Sequence, residues 1–383
     1  MRTLLRKLTG IGSSLPILLV LAGLCIAGVF IIMSATYTNE TLKDAYSSQF
    51  KFLLIGGVIY MALALTPYQL LVRISPILYG ISILLLVGVF IPHIGKKVYN
   101  AYSWIHIGGV GFEPAEFAKL TFILALAWLL HIRESKIQHL STVLLALFFT
   151  VIPFLLIKKQ PALGTGAVFF PICFLMLFAA GARMRYVVLP LLVVGAGLVF
   201  AYYWIQVWNK PVPFLKPFEV ARIKIFFDPS LDPKGAGWQI DQSMIAVGSG
   251  GMKGQGWMQG TEAVLGYLPK NTSYNDLIFP VAAEEFGFRG AAALITCEGI
   301  VLLWCLWVAA RARDKVGALV AVGVMAMLFT HVFVNIGMTI HLVPITGIPL
   351  PFISYGGTFV IACLAAIGLV QSVWVHRKNF DRI

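Results

Sequence analysis

Ten apolar runs constrain this chain more than anything else in it, at about 14–34, 52–70, 75–93, 114–132, 141–157, 165–181, 185–206, 276–310, 316–341 and 353–375. Most match the roughly 20 residues a helix needs to cross a hydrocarbon layer about 30 Å thick. In that medium each backbone N–H and C=O must find a partner inside the protein, so such runs fold as helices. The expected fold is an all-α polytopic membrane protein of about ten transmembrane helices. One long extracytoplasmic loop, about 207–275, separates spans seven and eight. Charged residues are 12% of the chain and hydrophobic ones 59%, against about 25% charged in soluble domains, which excludes a soluble globule. Residues 1–383 read as a single integral membrane domain, without heptads, low-complexity tracts or a clear internal repeat. The fourth and sixth runs are polar-interrupted or short. The eighth is too long for one straight span, so its first turns are expected at the outer surface or lining a cavity. The first run has no clear small-residue cleavage site before Tyr37 and reads as a retained span.

Charge orients the set. Arg2, Arg6, Lys7, Arg73, Arg133, Lys136, Arg183, Arg185, Arg311, Arg313, Lys315, Arg377, Lys378 and Arg382 fall in short connections on one side, 14 of the 29 basic residues. That asymmetry predicts both termini on the cytoplasmic face. The net charge of +13 is thereby partly an attribute of topology and of anionic lipid headgroups, and no nucleic-acid partner is expected. Five cysteines all lie inside apolar runs, with no CxxC or Cys/His spacing, and read as small packing residues.

Polar and Gly/Pro-rich text collects on the other face: "KKVYNAYSWIHIGGVGFEPAEFAKL" (96–120), "KKQPALGTG" (158–166), "ARIKIFFDPSLDPKGAGWQIDQSMIAVGSGGMKGQG" (221–256) and "HLVPITGIPLPFISYGGT" (341–358). Glu116 and Lys119 stand three apart, share a helix face and can pair, either as a structural staple or in a polar cavity. The glycines of 248–256 permit tight turns, with a plain turn cluster and a phosphate cradle both open, and no Walker-type GK[ST] follows. Asp276 heads the eighth run, an acid where water is scarce. Glu284 and Glu285 follow and read as structural.

Together, "EPAEFAK", "RIKIFFDP", "QIDQSMIAVGSGGMKGQG", "DLIFPVAAEEFGFRGA" and "GIPLPFISYGGT" resemble the SEDS family (RodA/FtsW/SpoVE) over nearly the whole chain, RodA-like more than FtsW-like by the short tails. The resemblance implies a peptidoglycan glycosyltransferase polymerising lipid II at the outer face of the bacterial plasma membrane, in cell-wall elongation and shape maintenance. It also implies a partner, a class B penicillin-binding protein with a single membrane span, alongside other elongation or division proteins. Asp276 stands in the register the family reserves for its essential aspartate. The chain departs from the family in several places. Glu113-Pro114-Ala115-Glu116 replaces the usual Gln-Pro-Ser-Glu, Ser103 precedes Trp104 where an arginine is common, and Lys270 replaces a glutamate ahead of Asp276, with two residues inserted.

Transfer from a lipid diphosphate needs no protonating acid, because the diphosphate leaves as a stable anion, unlike the leaving group of ordinary glycosidases. It needs one base for the acceptor hydroxyl, the expected role of Asp276, and cations for the diphosphate. Lys96, Lys97, Arg222 and Lys224 are candidates, with Trp104, Glu116, Lys119, Gln242, Ser243 and Gly250 as further candidate substrate contacts. A Mg²⁺ or Mn²⁺ ion would also suit the diphosphate, though no carboxylate cluster in the sequence demands one. The same polar cavity is compatible with a lipid II flippase or other lipid transporter, or with a non-catalytic scaffold for the crosslinking enzyme.

Overall fold

The computed structural model describes residues 12, 14–39, 42–91, 95–98, 101–107, 110–208, 217–264, 266–269 and 272–377. Proline sets the first boundaries. Helix α1 (Leu15–Thr36) carries a proline in its first turn, where the missing N–H costs nothing. Helix α2 (Ala45–Leu65) stops at Thr66, which is extended (ψ 131°) because Pro67 follows, and α3 (Tyr68–Gly88) begins immediately after. Both helices start seven residues before the apolar runs at 52 and 75. Hydropathy missed the first turns of α2 because they are polar. Gln49 there is nonetheless buried and hydrogen-bonds the carbonyl of Ser354 at 3.1 Å.

Between α3 and the next helix lies a departure from the all-helical expectation. Strands β1 (Gly95–Val98), β2 (Ala101–Ile107) and β3 (Val110–Phe112) form an antiparallel sheet in sequence order. Helices α4 (Pro114–Ile132) and α5 (Leu140–Lys159) follow, then a short pair, α6 (Leu163–Ala167) and α7 (Phe169–Ala179), and α8 (Met184–Trp208). The connection expected as a loop carries helices α9 (Pro217–Phe227), α10 (Ala236–Ser249) and α11 (Thr261–Val264). The chain ends in α12 (Ile278–Ala310), α13 (Lys315–Thr339) and α14 (Gly357–Val375).

Eight of these helices are long and apolar enough to cross a membrane. The segments Leu163–Ala179 and Met184–Gly197, at the sixth and seventh apolar runs, are apolar but shorter. The bundle has a centre and a rim. The most apolar stretch of α14 is 94% buried and those of α4 and α13 are 78% buried, against 22–33% for α1, α2, α3, α5 and α12. The rim helices turn Leu19, Val58, Leu84 and Phe148 outward, the faces a bilayer would cover. Small residues let the centre close up: a Cβ on Gly368 would lie 2.8 Å from the Tyr60 carbonyl, and one on Gly323 2.6 Å from Ile123.

Alternate connections gather at opposite ends. At one end Lys315 bridges Glu134, Tyr68 donates to Asp314, and Gln138 donates to the Gly181 carbonyl; this is the basic end. The other end holds Asp276.

Candidate active site

The motif around "PLPFISYGG" does not form a helix start; it forms a wall behind Asn275 and Asp276. The Ser354 hydroxyl donates to the Asn275 carbonyl at 2.6 Å and accepts the Leu350 N–H, while Tyr355 N–H donates to the Tyr274 carbonyl. From the other side the Asn335 amide, on α13, donates to the carbonyls of both Asp276 (2.8 Å) and Ile348 (2.7 Å). Four prolines and glycines between 344 and 351 (Pro344, Gly347, Pro349 and Pro351) keep this segment out of a helix beside the acid. At Gly347 (φ +70°) a side chain would be strained and its Cβ would sit 3.1 Å from Asp276 Oδ2. The backbone of Asp276 is thus clamped, and the residue sits half-buried just ahead of α12.

Burial pushes the Asp276 carboxyl up to about 6, with the Arg222 guanidinium of α9 opposing the rise. Near neutral pH it is ionised and basic enough to accept a proton. Glu113 behaves differently. Burial, followed by repulsion from Glu116, moves it up to about 8; Lys119 opposes this, and the Asp276 charge adds to it. Its backbone N–H is capped by Thr358 Oγ at 3.2 Å. A carboxyl held protonated at neutral pH has the shape and hydrogen-bonding valence of an amide, so Glu113 can stand where the family usually has glutamine.

Glu116 and Lys119 pair as their spacing predicted, at 2.8 Å and both buried. The structure adds a third member: Lys119 Nζ also lies 2.8 Å from His331 Nε2. His331 Nδ1 faces the Pro349 carbonyl at 3.1 Å, so Nδ1 carries the proton and Nε2 accepts from the lysine. This triad runs from α4 through α13 to the wall that backs Asp276. His331 and Asn335 were missed from sequence because their partners lie far away along the chain. Their one signal was being lone polar residues inside an apolar run.

The other candidates scatter. Arg222 faces Asp276 electrostatically, and Lys224 is a half-buried neighbour on the same helix. Lys96 and Lys97 lie on β1, Lys96 opposite half-buried Trp104 in the ladder; their side chains lie outside the described residues. Gln242 is half-buried on α10. Ser243 is buried and spends its hydroxyl on the Gln239 carbonyl of its own helix.

Gly250 belongs to a different device. Helix α12 breaks at Gly287 (φ 65°, ψ −169°), which frees backbone groups on either side. The glycine-rich segment supplies the partners: Gln255 and Gly256 N–H donate to the carbonyls of Glu284 and Glu285, and the Gly251 carbonyl accepts from Phe288 N–H. Gly250 and Gly254 each lie where a Cβ would be 2.1 Å from an α12 carbonyl. The glycines therefore dock backbone on backbone. Glu284 and Glu285 finish the joint, accepting from the N–H groups of Glu262 and Met258, and Glu285 also from the Ser34 hydroxyl.

Among the described residues no three His, Cys, Asp or Glu side chains gather as metal ligands. The donor set does not fit an all-protein cage for a hard divalent ion.

Comparison with known proteins agrees with this architecture. The chain is 34% identical to the peptidoglycan glycosyltransferase MrdB of Escherichia coli K12, covering 95% of this chain and 94% of that protein. It is 30% identical to the peptidoglycan glycosyltransferase RodA of Treponema pallidum, over 93% and 96%. It is 33% identical to stage V sporulation protein E of Bacillus subtilis, over 94% and 97%. A solved structure on the structural coordination of polymerization and crosslinking by a peptidoglycan synthase complex superposes with a TM-score of 0.75, at 30% identity, covering 95% of this chain and 98% of that one. The rod shape determining protein RodA of Thermus thermophilus shares the fold with a TM-score of 0.66 at 24% identity, over 95% and 97%. The FtsW/RodA/SpoVE model, described as a cell cycle protein, matches residues 14–379, and with relatives this similar along nearly their whole length the chain belongs to that family.

Proposed function

We propose that this chain is a peptidoglycan glycosyltransferase that polymerises lipid II in cell-wall elongation and shape maintenance. The observation that carries the reading is Asp276: a clamped, half-buried carboxylate of raised basicity at the polar end of a membrane bundle, in a family whose named relatives are glycosyltransferases. In the reaction the acceptor sugar hydroxyl of lipid II attacks the anomeric carbon of the growing glycan. The new C–O bond forms as the bond to the lipid diphosphate breaks, the diphosphate takes the electron pair, and the hydroxyl proton passes to Asp276. General-base help of this kind is worth roughly 10²–10⁴ in rate. Arg222, with Lys224, Lys96 and Lys97 as further cations, offsets the diphosphate charge. Trp104, Gln242, Ser243 and Gly250 stay in the proposal as substrate contacts at most indirectly, through the elements they hold. Glu116, Lys119 and His331 keep the wall behind Asp276 in place.

The partner we assign is a class B penicillin-binding protein with a single membrane span, supported by the peptidoglycan synthase complex among the similar structures. The compartment is the bacterial plasma membrane, with both termini cytoplasmic. A cysteine at Ser230 should then label with an impermeant maleimide on spheroplasts and one at Ala312 should not. The test of activity is polymerisation of lipid II by the purified protein, with and without the crosslinking partner. Lipid movement in liposomes without any polymer would turn the reading to a flippase. Polymer made only by the partner would turn it to a scaffold.

A further inference from the structure

We propose that the basic end of the bundle carries a binding site for the phosphate headgroup of an anionic phospholipid. A cavity of about 480 Å³ opens there between the ends of α3, α4 and α13, lined by Arg73, Trp128, His131, Glu134, Asp314 and Lys315. Both acids are already engaged. Glu134 pairs with Lys315 at 2.5 Å and faces His131 at 3.9 Å. Asp314 accepts from the buried Tyr68 hydroxyl at 2.9 Å and caps α13 through the Gly317 N–H at 2.7 Å. Arg73 is left over: among the described residues its guanidinium has no ion-pair or hydrogen-bond partner. Its exposed fork of donors is a bidentate receptor for a phosphate oxygen pair, and Trp128, which lines the same cavity, carries a further N–H donor.

The surroundings select a lipid over a free phosphate. Leu70, Ile74 and Ile77 on α3 and Ile132 at the end of α4 are exposed apolar side chains within four residues of lining positions on the same helices, so acyl chains can lie on the helices while the headgroup enters. Arg313, next to Asp314, adds further positive charge. Basic pockets between span ends are where acidic headgroups bind, at about 1 kcal/mol per basic residue, or about fivefold in affinity.

The test uses the full-length protein in detergent, with retained lipid read by native mass spectrometry. Dioleoylphosphatidylglycerol should be held in preference to dioleoylphosphatidylcholine by the wild type, and Arg73→Gln should lose about fivefold of that retention. Trp128→Phe, which keeps the packing and removes one donor, should lose less. Arg185→Gln, a basic change at the same end outside the cavity, should lose nothing. Equal retention of the two lipids by the wild type, or unchanged retention in Arg73→Gln, would overturn the site. Competition by inorganic phosphate as strong as by the dispersed lipid would overturn the lipid assignment. Lipid II polymerisation is not the readout, so failure here and failure of the glycosyltransferase reading are distinguishable.

Discussion

The two ends of the bundle handle charge in opposite ways. At the basic end the Lys315–Glu134 pair is solvent-exposed, with side chains 73% and 48% accessible. At the other end the Lys119–Glu116 pair is fully enclosed, 0% and 4% accessible, and is tied to a histidine 212 residues away in the chain. An exposed pair gains little, because water screens it and its side chains lose freedom. An enclosed pair has given up its hydration, and losing one partner strands the other. Charges at the basic end stay in reach of water and headgroups, and can set orientation without giving up their hydration. Charges at the Asp276 end are held to fixed positions, as a reaction requires.

The strongest way to break this contrast is Asp276→Asn. It keeps volume and removes the proton acceptor, so polymerisation should fall by roughly two to four orders of magnitude. Folding should hold. Burial raises the carboxyl from 3.8 to about 6, so the folded state binds the proton more tightly than the unfolded one. This acid's contribution to stability therefore falls as pH rises from about 4 to 6, and above that window removing the charge destabilises nothing. Wild-type turnover by the Asn variant would end the catalytic assignment.

Next in size is Lys119→Met, which leaves Glu116 buried and alone at a cost of about 3–5 kcal/mol. Thermal unfolding in detergent reads it; a loss no larger than that of a surface mutation would sink the idea that this end is tightly desolvated. Gly254→Ala should cost roughly 1–3 kcal/mol, through its φ of +83° and the Glu285 carbonyl in the way. Faster proteolysis of residues 250–262 is the accompanying sign.

A subtler outcome concerns pH. The rate should fall below about 6 as Asp276 is protonated, and above about 8 as Glu113 loses its proton. The two limbs are macroscopic, since these carboxyls feel each other. Glu113→Gln should keep the neutral-pH rate and remove the upper limb; an unchanged alkaline fall would show that Glu113 is not its source. The smallest effect belongs to the basic end, where Glu134→Gln should leave the melting temperature unmoved. A measurable drop there would erase the difference between the two ends.

Much of the membrane architecture was legible because bilayer thickness forces length and composition together. The i, i+3 relation of Glu116 and Lys119 was equally local, and so was visible. Helix α2 shows the limit. Its polar first turns look like a loop to any hydropathy rule, and only the distant Ser354 carbonyl makes Gln49 acceptable inside the protein. The glycines at 250–256 looked like a ligand cradle because glycine signals close backbone approach without naming what approaches; here it is α12. The sheet at 95–112 escaped because an apolar ruler about 20 residues long does not see strands of four, seven and three residues. His331 and Asn335 could be read as exceptions in a span, but not as parts of a wall.

The break in α12 also bears on the order in which the protein is made. A span with an interrupted hydrogen-bond ladder cannot complete itself on entering the bilayer, since the carbonyls of Glu284 and Glu285 need outside donors. Those donors, at 255 and 256, are synthesised before α12 and belong to the connection that precedes it. The ribosome thus delivers the splint before the fracture, and α12 can close its ladder with a neighbour already waiting.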